Sequence, residues 1–175
     1  MIERAKRKAM DKGVIIEFKN GDAHDLPFID NTFDAVISEC TTCLLNKERA
    51  IGEMVRVAKT GGYVGIHDIC WKKNAPEHLK QRLEEIEGEK PETLEGWKNL
   101  FHSAGLKDVI TVDKSYPIPD WGKDIRKKTG IMALLKIFIK VLKNWGISGL
   151  RIILESLRIF ESEHMGYGII VGRKT

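Results

Sequence analysis

The sequence predicts an α/β domain with a mainly parallel sheet. Short apolar and β-branched segments, typical of buried strands, alternate with longer segments of helical period. The first three strand-like segments are residues 14–18, 33–38 and 63–68. A chain of 175 residues suffices for one domain with a buried core and is too short for two. We therefore expect a single domain over residues 1–175.

The remaining elements follow from apolar periodicity and from residues that begin or end helices. Asn46 is a suitable N-cap for a helix through Lys59, and the glycine pair Gly61-Gly62 follows that helix. Other helical patterns cover residues 2–12, 76–88, 94–104, 131–145 and 149–161. Two further strands are predicted at residues 109–112 and 168–173.

Charge and cysteine content exclude several classes of protein. The formal net charge of +4, from 29 basic and 25 acidic residues, is too small to indicate nucleic-acid binding without clustering. Three cysteines do not make a disulfide framework, which favours free thiols in a reducing compartment. The first residues, MIERAKRKAMDKG, lack the apolar core of a signal peptide, and no apolar run is long enough for a membrane span, so we expect neither. We expect a cytoplasmic protein.

Ligand sites in open α/β sheets lie beyond the carboxyl ends of the strands. The segments in that position are residues 21–28, 38–43 and 67–71. We therefore expect the functional chemistry in these three segments.

Three motifs at family-like spacing, with a fourth near the end of the chain, resemble class I S-adenosylmethionine-dependent methyltransferases, particularly the ubiquinone/menaquinone biosynthesis subgroup. GDAHDLPF (21–28) is similar to the loop after the third family strand, and NTFDAVISE (31–39) to the fourth strand. EMVRVAKTGGYVGIHD (53–68) resembles the following helix, glycine turn and fifth strand, with Thr60 where the family usually has proline. GYGIIVGRK (166–174) resembles the last, antiparallel strand. The resemblance implies a Rossmann-like methyltransferase sheet and S-adenosyl-L-methionine as cofactor.

Three cofactor-binding residues follow from this resemblance. It implies that Asp22 binds the adenine amino group, that Ala23 offers its backbone N–H to the ring, and that Glu39 faces the methionine end. The structural alternatives are that Asp22 caps its own turn and that Glu39 is a solvated loop carboxylate.

The resemblance also implies that the N-terminal part of the family domain is missing. The first family strand, its glycine-rich turn and the acidic residue after the second strand would lie upstream of Met1. We interpret the chain as the C-terminal part of a methyltransferase, inactive alone. A sheet without these strands has unpaired edges. The hypothesis is that residues 14–18 pair beside residues 35–38, or that two chains form a homodimer by strand exchange.

His67 and Asp68, at the end of a strand, are the candidates for a catalytic base, with His24 behind them. A hydrogen-bonded structural histidine is the alternative for His67. The cysteines Cys40, Cys43 and Cys70 follow neighbouring strands and could bind zinc or a metalloid, as in arsenite methyltransferases. Their alternative role is apolar packing.

A helical insertion at about residues 117–164 is expected to select the methyl acceptor. Its predicted apolar face comprises Ile131, Leu134, Leu135, Phe138, Ile139 and Leu142, and a second face carries Lys136, Lys140 and Lys143. Core packing, a lid over an apolar acceptor and a membrane-surface helix pair are the three interpretations. Methyl transfer to a small, apolar acceptor is the leading functional hypothesis. A non-catalytic, partner-binding fragment and a thiol-assisted arsenite-type methyltransferase are the alternatives.

Overall fold

The computed structural model describes residues 2–115 and 121–175. The helices are α1 (Ile2–Asp11), α2 (Lys47–Val57), α3 (Glu77–Glu87), α4 (Leu94–Ser103) and α5 (Trp121–Phe160). The strands are β1 (Phe33–Glu39), β2 (Ala58–Trp71), β3 (Glu92–Thr93), β4 (Lys107–Asp113) and β5 (Met165–Arg173). A short 3₁₀ turn over Thr42–Leu44 and strand β3 are absent from the sequence-based expectation.

The described strands form one mixed sheet in the order β1-β2-β5-β4. β1 runs parallel to β2, and β5 inserts antiparallel between β2 and β4. β3 extends the sheet by two residues beside Cys70 and Trp71 at the end of β2. The predicted α/β class with an antiparallel last strand is confirmed.

A bulge between β1 and β2 requires the predicted glycine pair. The register passes from Phe33 opposite Ala58 to Ala35 opposite Tyr63. Gly61 has a φ of 81°, and a Cβ on Gly62 would lie 2.8 Å from the Asp34 carbonyl oxygen. A side chain at either position would strain this bulge. The helix before it ends at Val57, two residues earlier than expected.

One face of the sheet carries the core. Val64, Ile66 and Ile170 point to this face and are at most 1% exposed. Helix α4 supplies Trp97 and Phe101, both fully buried, and α2 supplies Ile51, also fully buried. Burial of these side chains is the main source of stability, at about 1.5–3 kcal/mol for each fully buried one.

The opposite face of the sheet is largely open among the described residues. Ile37 of β1 is 73% exposed, Tyr63 of β2 52% and Ile110 of β4 63%. Residues 35, 37 and 39 of β1 also point to this face, because side chains alternate along a strand. Glu39 lies directly opposite His67 of β2, so both side chains share this face. His67 therefore lies on the open face and Asp68 on the buried one.

The expected strand at residues 14–18 is wrong. Residues 14–20 have no regular structure, and Val14, Ile15 and Ile16 are all exposed. A strand needs a neighbour for its backbone groups, and none of the described strands pairs with this segment. The proposed pairing of residues 14–18 with β1 is therefore also wrong, and within the described chain β1 is an edge strand.

Helix α5 covers most of the predicted helical insertion, but its backbone is not helical throughout. Gly130 and Gly146 have non-helical dihedral angles inside α5, and the second break separates the two predicted helices near residue 146. Glu155 receives two hydrogen bonds from Arg82 of α3, at 2.8 Å each, which attaches the end of α5 to the domain. Pro117, Pro119 and the side chains of Ile131 and Leu134 lie outside the described residues.

Core packing does not account for the described part of the predicted apolar face of α5. Leu135, Phe138 and Ile139 are 43–55% exposed, whereas Val141 and Ile159 are buried. Exposed apolar surface of this extent is typical of a region that contacts a ligand, another protein or a membrane.

Candidate functional site

The end of β1 and the segment that follows it lie beside His67 of β2, at one edge of the sheet. Glu39, the last residue of β1, pairs with His67, and the Cys40 backbone N–H donates to the His67 carbonyl oxygen at 2.8 Å. Cys40 adopts a φ of 49°, which turns the chain from β1 toward the 3₁₀ turn. The convergence expected from parallel strands is thus present.

Glu39, Cys40 and His67 form a cluster on the open face of the sheet. The His67 Nδ1 atom lies 2.6 Å from the Glu39 Oε1 atom, and the Cys40 thiol lies 4.0 Å from the same oxygen. One potential ligand atom from each residue lies within 4.8 Å of the other two. The imidazole of His67 also lies 5.5 Å from the ring of Tyr167 of β5.

Asp68 occupies a different environment from His67. It is 1% exposed, and its two carboxylate oxygens accept from the backbone N–H groups of Cys43 at 3.0 Å and of Ile69 at 2.9 Å. These bonds attach the 3₁₀ turn to β2. In this conformation Asp68 supports the site from the buried side, and only His67 of the predicted pair faces outward.

Asp22 bonds within its own loop. Its Oδ1 atom accepts from the His24 backbone N–H and pairs with His24 Nδ1, each at 2.8 Å. The backbone hydrogen bond from His24 is the main cause of the lowered pKa of Asp22. His24 Nε2 in turn accepts from the Asn46 backbone N–H at 3.0 Å, so His24 joins the loop to the start of α2.

A cavity of about 270 Å³ lies between this loop and β1. Its wall includes the predicted residues Ala23 and Glu39, together with apolar side chains of the loop, β1 and α2: Leu26, Val36, Ile37, Leu45, Ala50 and Met54. Asp22 is not part of the wall.

Two residues of α2 that the sequence analysis did not single out hold this loop. Glu53 accepts from the Leu26 backbone N–H at 2.7 Å, and Arg56 donates to the carbonyl oxygens of Phe28 and Leu26 at 2.8 and 3.0 Å. The Arg56 guanidinium and the Leu26 N–H lower the pKa of Glu53 to about 2. Glu53 and Arg56 lie about 30 positions from the loop in the sequence, so no local pattern predicts these contacts.

The three cysteines do not assemble among the described residues. Cys40 is exposed, whereas Cys43 and Cys70 are buried. Burial and the nearby Asp68 carboxylate raise the pKa of Cys43, and burial raises the pKa of Cys70 to about 12. The thiols of Cys43 and Cys70 therefore resemble apolar fillers, the alternative role named above.

Glu89 and Tyr167 belong to the same region and were also missed. The Lys90 backbone N–H donates to the Cys43 carbonyl oxygen at 2.9 Å, which brings the Glu89 loop against the 3₁₀ turn. The Glu89 Oε2 atom is buried and has no hydrogen-bond partner among the described residues, and burial raises its pKa. Burial also raises the pKa of Tyr167, with smaller contributions from Cys40 and Glu89.

Comparison with known proteins identifies the family. The sequence profile of the family described as "Methyltransferase domain" matches residues 1–126, more than half of the chain. The chain belongs to this family of methyltransferase domains. The resemblance inferred from the sequence motifs is thereby confirmed.

Relatives extend this similarity. Sterol methyltransferase-like 1 of Botryococcus braunii is 29% identical over 83% of this chain and 41% of its own length. The arsenite methyltransferase of Halobacterium salinarum is 28% identical over 71% of this chain and 34% of its own length. The crystal structure of geranyl diphosphate C-methyltransferase from Streptomyces coelicolor A3(2), in complex with Mg²⁺, geranyl diphosphate and S-adenosyl-L-homocysteine, superposes with a TM-score of 0.64. It is 15% identical and covers 99% of this chain and 58% of that protein.

The chain spans about half the length of the curated relatives that it matches, between 41% and 53% for three of them. Within the described residues, none of the helices is long and apolar enough to cross a membrane.

Proposed function

We propose that this chain belongs to an S-adenosylmethionine-dependent methyltransferase that acts on a small, apolar acceptor, and that it binds part of the cofactor. The observation that carries the proposal is the cavity beside Ala23 and Glu39, at the sheet edge where ligands of α/β folds bind. Membership of the methyltransferase family supports it.

The cavity suits part of the cofactor. Its largely apolar wall fits a flat ring such as adenine, and we assign the Ala23 backbone N–H to a ring nitrogen and Glu39, in the same wall, to the methionine end. When bound, S-adenosylmethionine supplies an electrophilic methyl group. The turn engages the Oδ1 atom of Asp22, and the Oδ2 atom is the one that would accept from the adenine amino group.

Glu39 and His67 together can remove a proton from an acceptor. The bond between Glu39 and His67 Nδ1 orients the imidazole, which leaves Nε2 to accept the proton. Proximity and exclusion of water account for most of the rate effect in such a displacement. Asp68 would act only by holding the Cys43 backbone.

The apolar nature of the acceptor rests on α5. Leu135, Phe138 and Ile139 offer exposed apolar surface, and the exposed Lys136 and Lys140 lie on a neighbouring face of the helix. This surface suits a lid over a lipid-like acceptor or contact with a membrane surface. The geranyl diphosphate bound by the structural relative is an acceptor with an apolar chain. An arsenite-type acceptor is the second candidate, favoured only by the arsenite methyltransferase relative and by the exposed thiol of Cys40.

Calorimetric titration with S-adenosylhomocysteine tests the proposal. It measures binding directly and requires no methyl acceptor. We expect one molecule bound per chain, and at least a tenfold loss of affinity in Ala23→Phe, which fills the cavity. The matched control, Ile29→Phe, changes a side chain that is 82% exposed nearby and should bind like the wild type.

Failure to bind by a chain with a cooperative thermal transition would overturn the proposal for this chain and favour a non-catalytic module. Equal affinity of Ala23→Phe and the wild type would show that the cavity is not the binding site.

A further inference from the structure

The cluster of Glu39, Cys40 and His67 combines three kinds of metal ligand. A carboxylate, a thiol and an imidazole lie with their ligand atoms within 4.8 Å of one another, at an accessible position on the open face. Cys40 is exposed and the side chain of His67 is 32% exposed, so an ion can reach both.

The sheet fixes the backbone of all three residues. Glu39 and His67 are direct neighbours across β1 and β2, and the hydrogen bond from Cys40 to the His67 carbonyl oxygen ties the third residue to the second. Rotation of the side chains would have to bring the three ligand atoms to the spacing that zinc requires. Tetrahedral zinc places its ligand atoms about 3.3–3.7 Å apart. The 2.6 Å contact must therefore open, the 4.0 Å contact must close, and the Cys40 and His67 ligand atoms, within 4.8 Å of each other, must reach the same spacing.

The acidic groups around Cys40 favour the binding of a cation there. Asp68 and Glu89 lie close enough to act on Cys40 electrostatically, in addition to Glu39. The mixed sulfur, nitrogen and oxygen donors match Zn²⁺ and exclude a preference for Mg²⁺ or Ca²⁺, which take oxygen ligands.

We propose that Glu39, Cys40 and His67 bind one Zn²⁺ ion, with the fourth coordination position open. Cys43 and Cys70, the other two predicted ligands, do not take part. Binding of the ion opens the Glu39–His67 contact, so in the metal-bound chain the ion would take the place of His67 as the group that activates the acceptor. This role of the ion rests on the proposed function: an ion with an open position would bind a thiol or hydroxyl acceptor and lower the pKa of that group.

Metal titration of the full chain tests the site. With Zn²⁺ in a calorimeter we expect one ion per chain, and with Co²⁺ as a probe a thiolate-to-cobalt absorption band in the near ultraviolet. Cys40→Ser should abolish the band and weaken Zn²⁺ binding at least tenfold. His67→Gln should also weaken binding at least tenfold while leaving the thiolate.

Cys70→Ala is the matched control, because it removes a thiol that lies outside the cluster. It should retain the band and the wild-type affinity, with circular dichroism confirming that every variant is folded. Absence of stoichiometric binding, or equal loss of binding in Cys70→Ala and Cys40→Ser, would overturn the proposal. Titration with S-adenosylhomocysteine in metal-free buffer is read separately, so failure of the metal site and failure of the cofactor site give different results.

Discussion

The loop of residues 21–28 depends on two side chains of α2. Glu53 and Arg56 satisfy the backbone groups of Leu26 and Phe28, which positions the loop that carries Ala23. A hydrogen bond between a charged side chain and a backbone group is among the stronger single contacts, because its loss leaves the backbone group unpaired. The geometry of the candidate cofactor cavity therefore rests on residues outside its wall.

Glu53→Gln should loosen this loop and lower the melting temperature (Tm) at pH 7 by about 2–4 °C. Because the pKa of Glu53 in the folded chain is about 2, below its usual value of 4.5, its contribution is complete above about pH 5.5. That contribution is lost as the pH falls from there toward 2. Thermal melts between pH 7 and pH 3 should thus show a smaller acid-induced fall in Tm for the variant than for the wild type.

Glu48→Gln is the matched control for Glu53→Gln, since Glu48 is an exposed carboxylate of the same helix. It should leave both Tm and its pH dependence unchanged. If the Glu53 variant followed the wild-type curve at every pH, the carboxylate would not hold the loop.

At the scale of elements, α5 differs most from the other helices. α2 and α4 bury one face against the sheet, whereas residues 135–140 of α5 are exposed around the whole helix. Apolar periodicity alone predicts a face that must be buried but does not state against what. The exposed lysines Lys136, Lys140 and Lys143 add an attraction to anionic surfaces.

We expect the chain to bind vesicles that contain phosphatidylserine, with an affinity that falls as salt is raised. Replacing Lys136, Lys140 and Lys143 by glutamine should weaken binding roughly 100-fold, at about 1 kcal/mol for each lysine near the surface. Co-sedimentation with vesicles at two salt concentrations measures this. A control with Lys8, Lys12 and Lys107 replaced by glutamine, all exposed outside α5, should bind like the wild type. Equal binding of the two triple variants would exclude α5 as the membrane contact.

At the scale of the whole molecule, the described structure is a sheet with one covered and one open face. Trp97, Phe101 and Ile51 cover the first face and are fully buried. Ile37 and Ile110 remain exposed on the second face. The stability of the chain should therefore depend on α2 and α4 and very little on the exposed apolar side chains of α5.

Phe101→Ala should lower the free energy of unfolding by about 3–5 kcal/mol, because it leaves a cavity beneath the sheet. Phe138→Ala removes the same atoms from a side chain that is 43% exposed and should change it by less than about 0.5 kcal/mol. Urea unfolding followed by circular dichroism gives both values. Phe101→Leu, a smaller change, keeps the comparison measurable if Phe101→Ala does not fold. Similar losses for the variants of Phe101 and Phe138 would contradict this view of the core.

The sequence by itself determined the family, the α/β class and most elements. Asn46 accepts from the Arg49 backbone N–H as a cap, Gly88 ends α3 in the left-handed conformation, and the Gly61-Gly62 pair occupies the bulge before the parallel part of β2. These features are local, because caps, turns and apolar periods are set by residues a few positions apart.

Only the tertiary structure decided which residues share a site. The pairing of Glu39 with His67 separates His67 from Asp68 onto opposite faces, and contacts across about 30 positions bring Glu53 and Arg56 to the loop. Residues 14–18 have the composition of a strand and remain irregular, because a strand exists only where a neighbour receives its hydrogen bonds. Pairing between segments that are far apart in the sequence depends on the whole folded chain, and local sequence patterns do not predict it.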